Sequence, residues 1–141
     1  MYKCIHFKLS ELVPPWVIDE LGEDGWRLLG DRIKQAADLI WEHFNTGKWK
    51  RDTPRRCYVN YHGLTQRGFR TDKQGAEESK HRIGCALDMD IEGVTAEEAR
   101  QEILAHQDKF CPLITRLEDG VDWLHADCAR TNVDHVILFS A

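Results

Sequence analysis

No uninterrupted apolar stretch in the 141 residues approaches the ~18–20 that a membrane-spanning helix needs, so membrane insertion is not expected. Basic excess is missing too: 19 Lys and Arg stand against 24 Asp and Glu, a formal charge of −5. Nucleic-acid binding and electrostatic attachment to anionic surfaces usually show as a basic domain, and neither is expected here. The five cysteines (Cys4, Cys57, Cys85, Cys111, Cys128) include no CxxC pair. That excludes a thiolate zinc site and a secreted disulfide framework, and leaves reduced, mostly buried small hydrophobes. Repeats, low-complexity tracts and linker-like segments are also lacking, so residues 1–141 read as one domain, expected as a monomer. The opening Met1–Lys8 has neither the apolar core nor the cleavage site of a signal peptide, which predicts a protein made and folded in a cytoplasm.

What is present is an ordinary globular composition, 42% apolar and 30% charged. Tyr2–Leu9 reads as a short strand or extended arm, and Pro14-Pro15 suit the first turn of a short helix through Leu21. From about Asp24 to Phe44, Trp26, Leu29, Ile33, Ala36, Ala37, Ile40, Trp41 and Phe44 recur at steps of three and four, predicting one long amphipathic helix. Arg56–Tyr61 reads as a strand and Gly63–Glu78 as a long polar loop, a kind of segment that tends to be functional. Cys85–Ile91 alternates apolar with polar, the pattern of a strand with one polar face. Thr95-Ala96-Glu97-Glu98 opens a second helix to about Lys109. Leu113–Leu117, Asp122–Ala129 and His135–Ser140 are short strand candidates. Helices followed by short strands predict an α+β fold with a mainly antiparallel central sheet and helices packed on it.

Seven histidines are available (His6, His43, His62, His81, His106, His125, His135), and two stand in dense polar company. His81 closes the glycine-rich loop and is followed by Gly84, which permits a tight turn, and by Asp88 on the polar face of the next strand. In Asp122-Trp123-Leu124-His125-Ala126-Asp127, residues Trp123, His125 and Asp127 share one strand face. If the two strands are neighbours, His81, Asp88 and His125 meet around one cation. Two imidazoles and a carboxylate, with one position left to water, form the donor set of a catalytic zinc.

The string Ser79-x-His81-x-x-Gly84-x-Ala86-x-Asp88, followed by Trp123-x-His125 with its histidine 44 residues after the first, resembles the signature of zinc D,D-carboxypeptidases and dipeptidases and of phage L-alanyl-D-glutamate endopeptidases. These share a fold with the hedgehog signalling domain. Phe7–Pro15 and Arg67-Gly68-Phe69-Arg70 are also similar to small single-domain members encoded by bacteriophages. The resemblance implies one Zn²⁺ held by His81, Asp88 and His125. It implies an acidic general base three positions before the second histidine, which is Asp122 here, where many relatives have glutamate.

Strand parity puts Asp122 and His125 on opposite faces of a regular strand, so Asp122 belongs in the turn at Gly120-Val121, just outside it. Asp127 is the competing carboxylate. Arg70 matches the family's arginine before the first ligand, where it grips a substrate carboxylate or a developing oxyanion. Ser79 is a candidate hydrogen-bond donor to substrate, His62 an outside candidate for a substrate contact, and Trp123 reads as packing. The function implied is a metallopeptidase cleaving peptidoglycan stem peptides or muropeptides that contain D-amino acids, endolysin-like or carboxypeptidase-like, reaching the cell wall after release or on a virion. The alternative is a non-catalytic zinc-binding module of a phage particle.

Overall fold

Alternation along one strand decides which face of the sheet becomes core. The computed structural model describes residues 1–70 and 80–140, apart from the side chains of Arg82 and Ile83. In β2 (Ala86–Ile91), Leu87, Met89 and Ile91 point into the core, while Asp88 and Asp90 point the other way. β4 (Leu124–Asp127) does the same with Leu124 and Ala126 against His125 and Asp127. Together with β1 (Cys57–Tyr58), β3 (Arg116–Glu118) and β5 (Ile137–Phe139) they form one five-stranded sheet, ordered β1-β2-β4-β3-β5. All pairs are antiparallel except β3–β5, which is parallel. This is the expected α+β architecture with a mostly antiparallel sheet.

The helices cover the apolar face. α1 (Pro15–Leu21) starts on Pro15, whose missing N–H costs nothing at a first helical position. α2 (Asp31–His43) buries Ile33, Ala36, Ala37 and Ile40, and Phe44 completes its stripe. α3 (Ala96–Ala105) opens with a reciprocal capping box: the Glu98 N–H donates to the Thr95 hydroxyl at 3.1 Å and the Thr95 N–H to the Glu98 carboxylate at 3.0 Å. α4 (Gln107–Phe110) follows after a break at His106. Among the described residues, no helix is long and apolar enough to cross a membrane.

Several sequence expectations are corrected. The stretch from Asp24 to Phe44 is two elements, a 3-10 segment at Gly22–Leu28 and α2, because Leu29 turns extended and the Gly30 N–H donates to the Gly84 carbonyl at 2.8 Å. Helical periodicity continues across the break since both pieces bury the same side, which is why the pattern conceals it. Tyr2–Leu9 forms no strand. It is an arm tied to the Asp38 carboxylate by the Ile5 and His6 N–H groups at 2.8 and 2.9 Å, with His6 stacked on Trp41. The helix expected from Thr95 to Lys109 is interrupted at its C-terminal quarter, and the strands are shorter than their apolar patterns. Among the cysteines only Cys57 is buried; the others are half-buried, and all five are free.

Candidate metal centre

Two glycines set the first donor in place. Gly84 has φ +70°, and a Cβ there would fall 1.9 Å from the Leu28 carbonyl oxygen, so no other residue fits this turn. Gly68 packs as tightly, its virtual Cβ lying 2.1 Å from the Leu12 carbonyl oxygen. The segment around Gly68 is laced between neighbours. Arg67 O accepts from Asp88 N at 2.8 Å, Phe69 N donates to Leu12 O at 2.8 Å, and Arg70 N donates to His81 O at 3.2 Å. It therefore lies against β2 and covers Asp88, which is 8% exposed on what would otherwise be the open sheet face.

The second donor pair comes from register. Asp88 and His125 are directly opposed on β2 and β4, which places their side chains together on one face. His125 Nδ1 is 2.9 Å from Asp88 Oδ1, and His81 Nε2 is 3.2 Å from the same oxygen. His81, Asp88 and His125 are all buried, and their donor atoms lie within 4.8 Å of one another. The convergence expected from the sequence is present, including the tight turn at Gly84.

Hydrogen-bond bookkeeping tests whether a cation fits. A carbonyl only accepts, so His81 Nδ1 carries a proton donated to Gly68 O at 2.9 Å. A carboxylate only accepts, so His125 Nε2–H donates to Asp127 Oδ2 at 2.9 Å. The remaining nitrogens, His81 Nε2 and His125 Nδ1, are thereby left as lone pairs aimed with Asp88 at one point unless a second proton charges the ring. Both rings are fixed from behind in the manner of metal-ligating imidazoles, whose distal N–H usually rests on a carbonyl or carboxylate. The donor set fits a divalent ion.

The charges agree. Burial by itself would raise the Asp88 carboxyl, but hydrogen bonds from His125 and His81 outweigh it and hold it well below the usual carboxylate range. Burial would lower His125, yet its hydrogen bonds to Asp127 and Asp88 push it up to about 9. In the protein alone, two carboxylates thus keep a proton on His125, and a metal ion is its competitor for the same electrons. Arg70 Nη2 stands 3.5 Å from Asp88 Oδ2, at the edge of this cluster.

Asp127 is fully buried and fully engaged. Arg116 clamps it with two bonds of 3.0 and 2.8 Å, the Ala129 N–H reaches it at 3.1 Å, and His125 takes the remaining position. It holds His125 and has no route to a reacting water. Arg116 in turn lies over the Phe139 ring at 3.9 Å, and Phe139 meets His125 edge-on. The backing role of Asp127 was signalled only by its i, i+2 spacing from His125.

Asp122 lies in an exposed turn two residues ahead of β4, outside the regular strand as parity requires. It lines a cavity of about 410 Å³ together with Asp88, Asp90, Arg67, Leu64 and Trp123. Trp123 is therefore not a packing residue: it is 37% exposed and forms a wall of this cleft. Alternation along β4 puts it on the His125 side, which faces away from the core. His62 sits exposed on a turn at φ +50° and does not line the cleft. Ser79 lies outside the described residues.

A second cluster, His43, Glu102 and His106, also brings donor atoms within 4.8 Å of one another. Here the protein supplies its own cations. Lys109 donates to His43 Nδ1 at 2.8 Å, so His43 Nε2–H donates to Glu102 at 2.9 Å, and Lys48 and Trp49 donate to Glu102 at 3.3 and 3.0 Å. Both ring nitrogens of His43 and the Glu102 carboxylate are answered within the protein, His106 Nδ1 donates to the Glu102 carbonyl at 2.8 Å, and two ammonium groups oppose a metal. Of the two, the first cluster is the better candidate for a metal ion.

Compared with protein families, curated proteins and solved structures, the chain matches none.

Proposed function

We propose that this protein is a zinc-dependent metallopeptidase. Within that class we read it as a peptidase for peptidoglycan stem peptides or muropeptides containing D-amino acids, of the endolysin or carboxypeptidase type. The observation that carries the reading is the convergence of His81, Asp88 and His125, with an acidic residue, Asp122, on the cleft beside them. His81 Nε2, His125 Nδ1 and an Asp88 oxygen would hold the zinc. Bound there, zinc supplies Lewis acidity toward a carbonyl and toward water at neutral pH. Asp122, on an exposed turn over the cleft, accepts a proton from the attacking water and returns it to the leaving amine. Arg70 offers its planar fork to a substrate carboxylate or to charge growing on the carbonyl oxygen. Asp127 and the Gly68 carbonyl keep both imidazoles turned inward throughout.

The second reading, a zinc-bearing structural module of a phage particle, draws on the exposure of Asp122 and on its shorter reach compared with glutamate. The test is direct. Zinc-loaded protein is incubated with purified muropeptides and the products are weighed by mass spectrometry, alongside Asp122→Ala. Cleavage that collapses in a variant still holding one zinc per chain supports the peptidase. Turnover unaltered in Asp122→Ala refutes that base, and intact muropeptides with the native chain refute the enzyme.

A further inference from the structure

The turn that carries Asp122 is almost bare of core contacts. Between the end of β3 at Glu118 and the start of β4 at Leu124, Asp119, Gly120, Asp122 and Trp123 are exposed and Val121 is half-buried. Gly120, at φ +77°, gives the reversal, and nothing lies within 4 Å of where its Cβ would be. Burial of apolar surface therefore does not fix where Asp122 points. One buried cation does reach the turn. Arg100 of α3 is 5% exposed, and its Nη1 donates to the carbonyls of Val121 at 3.0 Å, Trp123 at 3.3 Å and Glu118 at 3.4 Å. Two of those three carbonyls flank Asp122 on either side.

The guanidinium is itself anchored. Glu97, one turn earlier on α3, accepts from Arg100 Nε and Nη2 at 3.0 Å each, and Asp119 stands 4.0 Å from Nε. A planar fork can grip Glu97 with one edge and the turn carbonyls with the other. An ammonium, a point charge on a flexible stem, cannot hold both in one geometry.

We propose that Arg100 is the positioning residue for Asp122: by pinning the carbonyls of Val121 and Trp123 to α3, it sets how far the Asp122 carboxylate reaches toward the His81–Asp88–His125 cluster. This rests on the peptidase reading for its catalytic consequence, but the placement itself is measurable without any turnover. Arg100 bonds to Glu97, Asp119 and the turn carbonyls and not to His81, Asp88 or His125, so the cluster's affinity for metal is expected to survive when the clamp is loosened.

The test compares the native chain with Arg100→Gln, Arg100→Lys and Glu97→Gln. Glu97 has a side chain more than half exposed, so its replacement loosens the guanidinium without opening the core and serves if Arg100→Gln fails to fold. Two readouts need no substrate: amide hydrogen exchange at residues 119–123, and the Co²⁺-induced shift of the Asp122 amide in NMR. Exchange faster by about tenfold or more, with a displaced or averaged Asp122 shift, is expected in Arg100→Gln and in part in Arg100→Lys and Glu97→Gln. On muropeptides, kcat is expected to fall about a hundredfold at unchanged KM, as for a reacting group misplaced by an ångström. Exchange and shift unchanged in both Arg100→Gln and Glu97→Gln overturn the proposal, as does a freed turn with native kcat. If the native chain cleaves nothing while the shift moves in the variants, the peptidase reading fails and the placement of Asp122 by Arg100 stands.

Discussion

Asp88 and His125 are 37 residues apart in the chain and directly opposite each other across β2 and β4, with His125 Nδ1 2.9 Å from Asp88 Oδ1. A sheet register is a rigid way to place two donors, because slipping either strand by one residue would send its donor into the apolar core. The third donor, His81, arrives from a turn, and the turn rests on two glycines that admit no side chain.

Asp127 would then govern how well the proposed site holds a metal ion. It touches no ion position itself but keeps the proton on His125 Nε2, leaving Nδ1 as the donor. Asp127→Asn is expected to lower metal affinity about 10–100-fold, the usual effect of losing such a backing carboxylate. Competition against a chromophoric chelator measures it; affinity equal to the native chain's would remove Asp127 from this role.

The Gly84 turn gives a stability prediction with its own control. Gly84→Ala puts a methyl group 1.9 Å from the Leu28 carbonyl oxygen at φ +70°, whereas Gly47, at φ +56°, has nothing within 4 Å of its virtual Cβ. The left-handed conformation alone costs about 1–2 kcal/mol in either variant. Urea unfolding is expected to show about that loss for Gly47→Ala with metal binding retained. For Gly84→Ala the loss is expected to be clearly larger, with metal binding weakened, because the backbone holding His81 must shift.

The second cluster predicts how the fold responds to acid. Burial is the main cause holding His43 below its ordinary pKa, with Lys109 adding to it, so the unfolded chain takes up that proton first. Its stabilisation is complete above about pH 6.5 and declines as pH falls below that value. Glu102 would be raised by its burial, but hydrogen bonds from Trp49, His43 and Lys48 prevail and hold it down at about 2. Its stabilisation is complete above the unfolded value near 4.5 and is lost as pH falls toward about 2. Stability measured against pH should therefore decline in two stages on the acid side, and Glu102→Gln should diminish the lower one, which Asp88 shares. A single decline unaffected by Glu102→Gln would contradict this assignment.

Much of the centre was legible in the chain because its rules are local. His81-x-x-Gly84 and the alternation around Asp88 and His125 each follow from short-range geometry, and parity alone expelled Asp122 from its strand. The break ahead of α2 was not legible, because Gly30 stops the helix to meet Gly84, a residue far along the chain whose approach no periodicity records. Nor was the arm at Tyr2–Leu9, whose backbone pairs with one carboxylate, Asp38, in place of a neighbouring strand. Trp123 reads as packing because it is large and apolar, although the strand face it shares with His125 already turns it away from the core. Arg100 gave no signal at all: a buried arginine on a helix is recognisable only from the carbonyls it finds.

The central claim is that His81, Asp88 and His125 together hold one divalent ion. Calorimetric titration of zinc into metal-free protein, with His125→Ala and Glu102→Gln in parallel, tests it most directly. The account expects one ion per chain for the native protein and for Glu102→Gln, and none at comparable affinity for His125→Ala. Zinc binding that persists unchanged in His125→Ala, or is absent from the native chain, would contradict it.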